Sequence, residues 1–477
     1  MKNPFSRIRL PQTESYHMAR KKKQQVQGWR RYIPHIGIGA SLLVLLCAVL
    51  TPFWLPGIVR RIIPDRYVAA YAPQPLQAVV FESDPSQMLP TADPIEQAEV
   101  NALLEYNPGQ ASGTIGTPLP PLQGAGGDAP PAEQGTPDPN ATPTSPFVAV
   151  GGGDAPGGGS VAANQSVVAL SGFEWVGQGW NNCGPATLKT NLSYWGWNLT
   201  QNDVANFVKP NPEDRNVRPD ELAAYVQSIG YDSIIRVNGS VDLLKRLIAA
   251  GYPVMIEKGF DPEPDRLGWM GHYLLLTGYS EDTQEFISMD SYLGADISES
   301  YVHIDYYWRH FNRVYLVAFP PENRPEVEAI IGADMDDFTM YSRALQQAQS
   351  ETQSNPGDPF GWFNVGSSLV ALGDYENAAT AFDLAREKGT PWRMLWYQFG
   401  PYEAYLNVGG NRLYDVITLA NAVVEDNIYS EEAYYYKGLA YAAQGETNAA
   451  RSQLNKALNY NTNYNDARQA LFNLNEG

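Results

Sequence analysis

Cysteine and histidine are scarce in this chain of 477 residues, which has two cysteines, Cys47 and Cys183, and five histidines. So few cysteines exclude a disulfide scaffold and a Cys₄ or Cys₂His₂ metal site. Basic residues are also in the minority, because 33 Lys and Arg against 52 Asp and Glu give a net charge of −19. A chain this acidic is not expected to bind nucleic acid, since contacts with phosphates need Lys and Arg. We predict no cofactor and no metal site.

The N-terminus departs from this acidic balance and is followed by an uncharged stretch. Nine Lys or Arg residues precede residue 32, with Glu14 as the single acid among them, and residues 32–59 carry no charge. Such a stretch can cross a bilayer as one helix, and a basic excess on its N-terminal side places that side in the cytoplasm. We therefore predict a single-pass cell-membrane protein with a basic cytoplasmic tail (1–31), a transmembrane helix (32–59) and extracytoplasmic C-terminal domains. The alternative is a cleaved signal peptide, for which a basic front of this length is unusual.

Residues 60–165 are rich in Pro and Gly, above all between Asn107 and Gly159. A segment of this composition cannot bury enough apolar surface to offset its chain entropy. We predict a disordered linker over 60–165, with one isolated helix at Ile95–Tyr106.

Regular structure is expected to resume near Val167. Strand patterns occur at Val167–Val176, Tyr231–Val237, Pro253–Glu257, Tyr273–Tyr279, Glu285–Asp290 and Arg313–Phe319. Helical patterns occur at Cys183–Gly196, Asp220–Gly230 and Ser240–Gly251. A helix-rich front half followed by an antiparallel sheet predicts an α+β domain over 166–322.

After Pro325 the spacing is helical and repeats itself. Residues 362–385 and 434–457 follow the same 34-residue register, with Gly366 and Gly438 where two helices approach each other. This pattern resembles the tetratricopeptide repeat and predicts an all-α repeat domain over 325–477. Such arrays usually present a concave face to a peptide, so a protein partner is expected there. Alternatively, the repeats only pack on the neighbouring domain.

The sequence around Cys183 carries the clearest chemical signal, Gln178-Gly-Trp-Asn-Asn-Cys-Gly-Pro-Ala. A cysteine at the start of a helix lies near unpaired N–H groups and a positive dipole, which favour the thiolate. An amide side chain just upstream can donate an N–H to a developing oxyanion. Gln178, five residues before Cys183, is our candidate for that donor.

A cysteine nucleophile needs a histidine base and an acceptor that orients the base. His272 opens one predicted strand, and Asp290 ends another strand 18 residues later. Two adjacent antiparallel strands would place them side by side. Other candidates, if the strands end elsewhere, are Asp282 and Asp296 for the acceptor and His303 and His310 for the base.

In their order and spacing, the segments NNCGPATL, GHYLLLTGY and MDSYLG resemble the bacteriocin-processing cysteine peptidases, family 39, and specifically its stand-alone 39-like branch. The resemblance runs from Gln178 to roughly Pro320. It implies a papain-like domain in which Cys183 is the nucleophile and His272 the general base and then acid. Asp290 would orient His272, and Gln178 would stabilise the oxyanion, although the transporter-fused branch usually has this glutamine one residue further upstream. No GxxxxGK[ST] phosphate loop is present, so export coupled to ATP is not implied.

The sequence therefore predicts a membrane-anchored, extracytoplasmic cysteine peptidase that acts on a peptide or protein through an acyl-enzyme. A catalytically silent binding or scaffold protein with the same fold is the first alternative. A papain-like acyltransferase, in which an amine replaces water, is the second, and the sequence does not distinguish hydrolysis from transfer.

Overall fold

A computed structural model describes residues 88–108, 166–260 and 268–476 of the chain. Within these ranges no helix combines the length and the apolar character needed to cross a membrane. The predicted cytoplasmic tail and transmembrane helix, residues 1–59, lie outside the described residues, as does most of the predicted linker.

The α+β part begins with a short strand and three helices. These are β1 (Val167–Ala169), α2 (Cys183–Tyr194), α3 (Gln201–Val208) and α4 (Pro219–Ser228), preceded in the chain by α1 (Gln97–Glu105). The remaining elements are β2 (Asp232–Arg236), α5 (Val241–Ala249), β3 (Val254–Phe260), β4 (Met270–Ser280), β5 (Glu285–Asp290), β6 (Gly294–Ser300), α6 (Tyr301–Trp308) and β7 (Tyr315–Phe319). The predicted α+β domain is thus confirmed, with helices gathered ahead of most of the sheet.

The seven strands form one sheet in the order β2-β7-β3-β4-β5-β6, with β1 paired to β4. Every pairing is antiparallel. β4 lies near the centre and is buried along nearly its whole length, because its apolar residues face helices on both sides of the sheet. The sheet therefore gives its central strand, which begins at Met270, a rigid position.

One predicted strand is shorter in the structure, and one strand was not predicted. The pattern at Val167–Val176 predicted one strand, but only residues 167–169 pair, with Ser280, Tyr279 and Gly278 of β4. Residues 170–182 form a loop held by side-chain contacts with distant segments. β6 was missed because its sequence, GADISES, is polar on both faces, as suits an edge strand exposed along much of its length.

A helical region follows the sheet. It comprises α7 (Arg324–Ile331), α8 (Asp337–Ser354), α9 (Pro359–Ala371), α10 (Tyr375–Glu387), α11 (Gly400–Val408), α12 (Arg412–Asp426), α13 (Glu431–Ala443), α14 (Thr447–Tyr460) and α15 (Asn465–Glu476). The predicted all-α character is confirmed, while its assignment to tetratricopeptide repeats stays a prediction. A short 3₁₀ helix, Trp392–Trp396, interrupts the region between α10 and α11.

Residues 88–108 differ from the predicted linker, because they pack on the helical region. The Leu89 N–H donates to the Thr390 carbonyl (3.0 Å), and the Gln349 side chain donates to the Leu103 carbonyl (2.8 Å). Leu89 and Leu103 are buried in the core of the helices. The helix expected at Ile95–Tyr106 is therefore present as α1 but is not isolated. Composition could not show this, since its partners lie some 250 residues away in sequence.

Replacing Gly366 in α9 by alanine is expected to destabilise the helical region by about 1–3 kcal/mol, the usual cost of overpacking. A Cβ at this position would lie 2.7 Å from the Phe382 ring of α10, which outweighs the helix-forming advantage of alanine. Urea unfolding followed by circular dichroism measures the effect. Gly357→Ala is the control, because its Cβ would meet no atom closer than 3.8 Å. Equal midpoints for the two variants would contradict the close approach of α9 and α10.

Candidate active site

Cys183 is the first residue of α2, and its position follows from how that helix begins. Asn182 precedes the helix, and its carbonyl accepts the first helical hydrogen bond, from the Ala186 N–H (2.9 Å). Pro185 fits this first turn because its missing N–H has no intrahelical partner to lose. Cys183 is partly buried and lies where the helix dipole is positive, which stabilises a thiolate.

The helix is fixed against β4 by a close contact at Gly184. A Cβ there would lie 3.3 Å from the Tyr273 ring, so the absence of a side chain lets the helix approach the strand. The Thr187 hydroxyl donates to the Tyr273 carbonyl (3.3 Å) one turn later. Because Tyr273 follows His272 in β4, the same contact sets the distance between the thiol and the imidazole.

His272 is buried and hydrogen-bonded on both sides. Its Nε2 lies 3.0 Å from Asp290 Oδ1, which leaves Nδ1 for the hydrogen bond with the Cys183 thiol. The imidazole stacks on the Phe260 ring at 4.4 Å between centroids and an angle of 22°. The ring thus has one position and one orientation.

Asp290 ends β5 and is held by the backbone that follows it. Its Oδ1 accepts hydrogen bonds from the N–H groups of Tyr292 (2.7 Å) and Leu293 (2.9 Å) in addition to the contact with His272. The strand ends here because the backbone turns back into β6, and this turn supplies both donors. The carboxylate is therefore oriented before any substrate binds.

The three side chains shift one another's pKa values. For His272, burial lowers the pKa, but the Asp290 charge and the hydrogen bonds with Asp290 and Cys183 outweigh it and raise the pKa to about 9. For Cys183, burial raises the pKa, but the hydrogen bond and charge of His272 outweigh it and bring the pKa below that of an ordinary thiol. Burial also opposes ionisation of Asp290, yet His272 and the two N–H donors lower its pKa. Together these shifts favour a thiolate, an imidazolium and a carboxylate.

Gln178 lies in the loop before α2, and the segment that follows Asp290 holds it. Its N–H donates to the Ser291 carbonyl (2.8 Å), and the Ser291 hydroxyl donates to its Oε1 (3.0 Å). With Oε1 engaged, the Nε2 group is the donor end of this side chain. The Trp175 indole donates to the Asp290 carbonyl (2.9 Å), which fastens the same two segments a second time.

Two residues that support this loop were missed by the sequence reasoning. Gln201, at the start of α3, accepts from the Gly179 N–H (2.8 Å) and the Asn182 amide (3.1 Å) and donates to the Gly177 carbonyl (2.9 Å). Buried Lys209 donates to the carbonyls of Asn181 (2.8 Å) and Asp214 (2.7 Å). These residues lie outside any motif, so only the fold brings them to the loop.

The Lys209 contact has both a structural and an electrostatic consequence. Asn181 has a left-handed backbone (φ 52°), which costs free energy in a residue other than glycine. A hydrogen bond to its carbonyl offsets that cost two residues before the nucleophile. The ammonium charge also contributes to the lowered pKa of Cys183.

The other candidate residues lie away from Cys183. Asp282 and Asp296 are exposed beside sheet turns, and His303 on α6 pairs with Glu299 (3.2 Å). His310 is buried, accepts from the Trp269 indole (3.1 Å) and stacks on Phe360 at 3.5 Å. Burial, with the Arg309 charge, lowers the His310 pKa well below its usual value. Of the three histidines that the described ranges contain, His272 is the one that the structure brings to the cysteine.

No group of three or more His, Cys, Asp and Glu side chains that could hold a metal ion occurs within residues 88–108, 166–260 and 268–476. The groups that the structure brings together at the candidate site are the Cys183 thiol, the His272 imidazole and the Asp290 carboxylate. This combination can form and resolve a covalent acyl intermediate.

The model of the Peptidase_C39 like family matches residues 164–318. A solved structure described as a C39-like peptidase from Bacillus anthracis is similar at 16% identity, covering 32% of this chain and 98% of that one, with a TM-score of 0.26. No curated protein matches the chain. The chain therefore contains a C39-like α+β domain of the cysteine-peptidase type, followed by a helical region.

Proposed function

We propose that this protein is a cysteine peptidase that cleaves a peptide or protein through an acyl-enzyme. The observation that carries the proposal is the relay from Cys183 through His272 to Asp290, with a 3.0 Å contact between the last two. This arrangement is the one that nucleophilic catalysis by a thiol requires, since the base must be oriented by a third group.

In the first half of the proposed reaction, the Cys183 thiolate attacks the carbonyl carbon of the scissile peptide bond. The new C–S bond converts the carbonyl oxygen into an oxyanion, towards which the Gln178 amide and the Cys183 N–H would donate. The His272 imidazolium then gives its Nδ1 proton to the leaving nitrogen as the C–N bond breaks. The products are a free amine and a thioester on Cys183.

In the second half, neutral His272 removes a proton from water, which attacks the thioester carbonyl. The C–S bond breaks, a carboxylic acid leaves, and the proton returns to the thiolate–imidazole pair. Asp290 keeps Nε2 protonated throughout, so that Nδ1 is the nitrogen that exchanges protons. An amine in place of water would give acyl transfer instead.

The membrane helix at 32–59, the extracytoplasmic location and the capture of a protein partner by tetratricopeptide repeats complete this proposal. They rest on the sequence patterns alone. With this topology the peptidase would act on substrates outside the cell membrane.

The pH dependence of Cys183 alkylation tests the enzyme proposal in the full chain carrying Cys47→Ser, where Cys183 is the one thiol. We expect iodoacetamide to label it rapidly well below pH 8.5, the pKa of a free thiol being about 8.5. His272→Ala should slow labelling at pH 6 by at least about tenfold, because the imidazolium that lowers the thiol pKa is lost.

His303→Ala is the matched control, because His303 lies on α6 and pairs with Glu299 instead of Cys183. It should label as the parent chain does. Slow labelling that follows an ordinary thiol, and that His272→Ala leaves unchanged, would refute the enzyme and favour a silent binding protein.

A further inference from the structure

The helical region reaches the nucleophile. A small cavity beside Cys183 is lined by domain residues, among them Glu257 and Gly271, and by Tyr397, which follows the 3₁₀ helix Trp392–Trp396. A Cβ on Gly271 would lie 3.0 Å from the Tyr397 ring. Gly271 directly precedes His272, so the Tyr397 ring can pack this closely only because the residue next to the base is a glycine. A residue from outside the C39-like domain therefore forms part of the wall around the thiol.

A much larger cavity, of about 1110 Å³, lies between the C39-like domain and the inner side of the helices. Pro219, Val237 and Phe311 line it from the domain, and residues of α8 to α11 and of α13 to α15 line it from the helical region. Glu257 and Tyr397 line both this cavity and the small one at Cys183. The two spaces thus share two side chains, and the end of the large cavity that these side chains line is the end towards the thiol.

The lining is aromatic and aliphatic, and its ionisable groups are all acids. Its apolar part includes Tyr341, Phe399, Leu406, Tyr435 and Leu439. The acids are Glu257, Asp337, Glu403 and Asp466, and burial raises the pKa values of Glu257, Glu403 and Asp466. No Lys or Arg occurs among the described residues that line it.

The carboxyl groups differ in their partners. Asp337 forms a salt bridge with Arg236 (3.0 Å) at the rim of the cavity, where the Asp337 side chain is largely exposed. Glu403 accepts a hydrogen bond from the Tyr436 hydroxyl (3.0 Å) inside the cavity. Burial raises the Glu403 pKa, and the nearby Arg218 charge only partly opposes this rise. A cation on a ligand would favour the ionised form of Glu403, whereas an anion would oppose it.

We propose that this cavity binds the part of the substrate next to the scissile bond, as a peptide segment in which Lys or Arg residues alternate with apolar ones. The apolar side chains would pack on the tyrosines and leucines, and the basic ones would pair with the acids. This inference rests on the proposed peptidase function, because the bound peptide is a substrate only if the protein cleaves it. Binding of the peptide itself needs no catalysis.

Binding is measured by fluorescence anisotropy with the full chain carrying Cys183→Ala, so that no peptide is cleaved. Three labelled decapeptides share one apolar framework and differ at two positions, which hold Lys, Gln or Glu. We expect the Lys peptide to bind at least about tenfold more tightly than the Glu peptide, with the Gln peptide between them. The preference should weaken in 0.5 M NaCl, because salt screens partly exposed charges.

Two variants locate the binding site. Asn407→Trp places a large ring in the cavity from an exposed lining position and should weaken binding of all three peptides about tenfold. Asn421→Trp is its control, on an exposed position of α12 outside the lining. Glu403→Gln keeps an acceptor for Tyr436 and should reduce the Lys-over-Glu preference several-fold while leaving the Gln peptide unchanged.

Equal affinity for the three peptides, or binding that Asn407→Trp does not weaken, would overturn the proposal. Whether the Asn407→Trp variant is folded is shown by the alkylation rate of Cys183, measured in a chain that carries Asn407→Trp and keeps Cys183. Rapid Cys183 alkylation without a preference among the peptides would support the enzyme proposal and refute the peptide-binding proposal. A preference among the peptides together with an ordinary thiol would support peptide binding and refute the enzyme.

Discussion

Replacing Asp290 by alanine is expected to lower kcat/KM by about 10²- to 10⁴-fold, the usual contribution of an acid–base group. Two effects act together. His272 loses the acceptor at 3.0 Å that fixes its ring, and the N–H groups of Tyr292 and Leu293 lose theirs. Both the proton donor and the backbone around it become less ordered. Cleavage kinetics, with folding checked by circular dichroism, measure the loss.

Asparagine at position 290 distinguishes two effects of Asp290, the orientation of the His272 ring and the negative charge beside it. Its Oδ1 can still accept from the ring and from both N–H groups, while Asp290 Oδ2 has no hydrogen-bond partner to lose. The negative charge that raises the His272 pKa to about 9 is removed. We therefore expect Asp290→Asn to retain much more activity than Asp290→Ala and to move the upper limb of the pH–rate profile below about pH 9.

The sign of this shift follows from the protonation states. The active pair is thiolate and imidazolium, so activity rises as Cys183 loses its proton and falls as His272 loses its own. A lower His272 pKa brings the fall to lower pH. If Asp290→Asn and Asp290→Ala both keep the activity and the pH profile of the parent chain, the carboxylate acts on neither orientation nor charge, and its proposed role is wrong.

The sequence was most informative where function restricts residue type. The predicted strand at Glu285–Asp290 has the bounds that β5 shows, because its apolar alternation stops at an aspartate that the backbone needs at its turn. The spacing of Cys183, His272 and Asp290 indicated their proximity, and the structure brings these three together. A helix start and two strand ends are local features that a sequence can display.

The residues that hold this site in place are distant from it in sequence, so the sequence could not predict their contacts. The loop before α2 resembles a strand by alternation, yet Ser291 and Gln201 hold it through side-chain contacts. Tyr397 lies 125 residues after His272 in sequence and joins the site only because the helices dock on the sheet domain. Neither periodicity nor composition encodes such contacts.

The docking surface between the C39-like domain and the helices carries an unusual concentration of buried acids. Asp214 and Glu221 of the domain lie with Glu431 and Glu432 of α13, and Asn216 donates to Glu432 (3.3 Å) across the contact. Lys209 and Arg218 are the cations that face them, and Asp220 adds a further negative charge. Burial is the largest influence, and it raises the pKa values of Asp214, Glu221 and Glu432 to about 7.

These raised values predict a docking surface that weakens as pH increases. A carboxyl whose pKa is higher in the folded than in the unfolded chain contributes stability that is fully present below its unfolded pKa, about 4. That contribution is lost as the pH rises from about 4 through about 7, because in this range the unfolded chain ionises its carboxyls while the buried ones stay protonated. We therefore expect the acids of this cluster to lower the free energy of unfolding progressively between about pH 4 and pH 7.

Glu432→Gln isolates this effect from the other titrating groups, since its Oε1 can still accept from Asn216. The variant should match the parent chain near pH 4 and exceed its stability at pH 8 by on the order of 1–3 kcal/mol, at 1.36 kcal/mol per unit of pKa shift. Glu425→Gln, at an exposed position of α12, should show no such divergence. Urea unfolding of all three chains across this pH range gives the comparison. Parallel curves for the parent and Glu432→Gln would mean that Glu432 stays ionised when docked, with Arg218 sufficient to offset its burial.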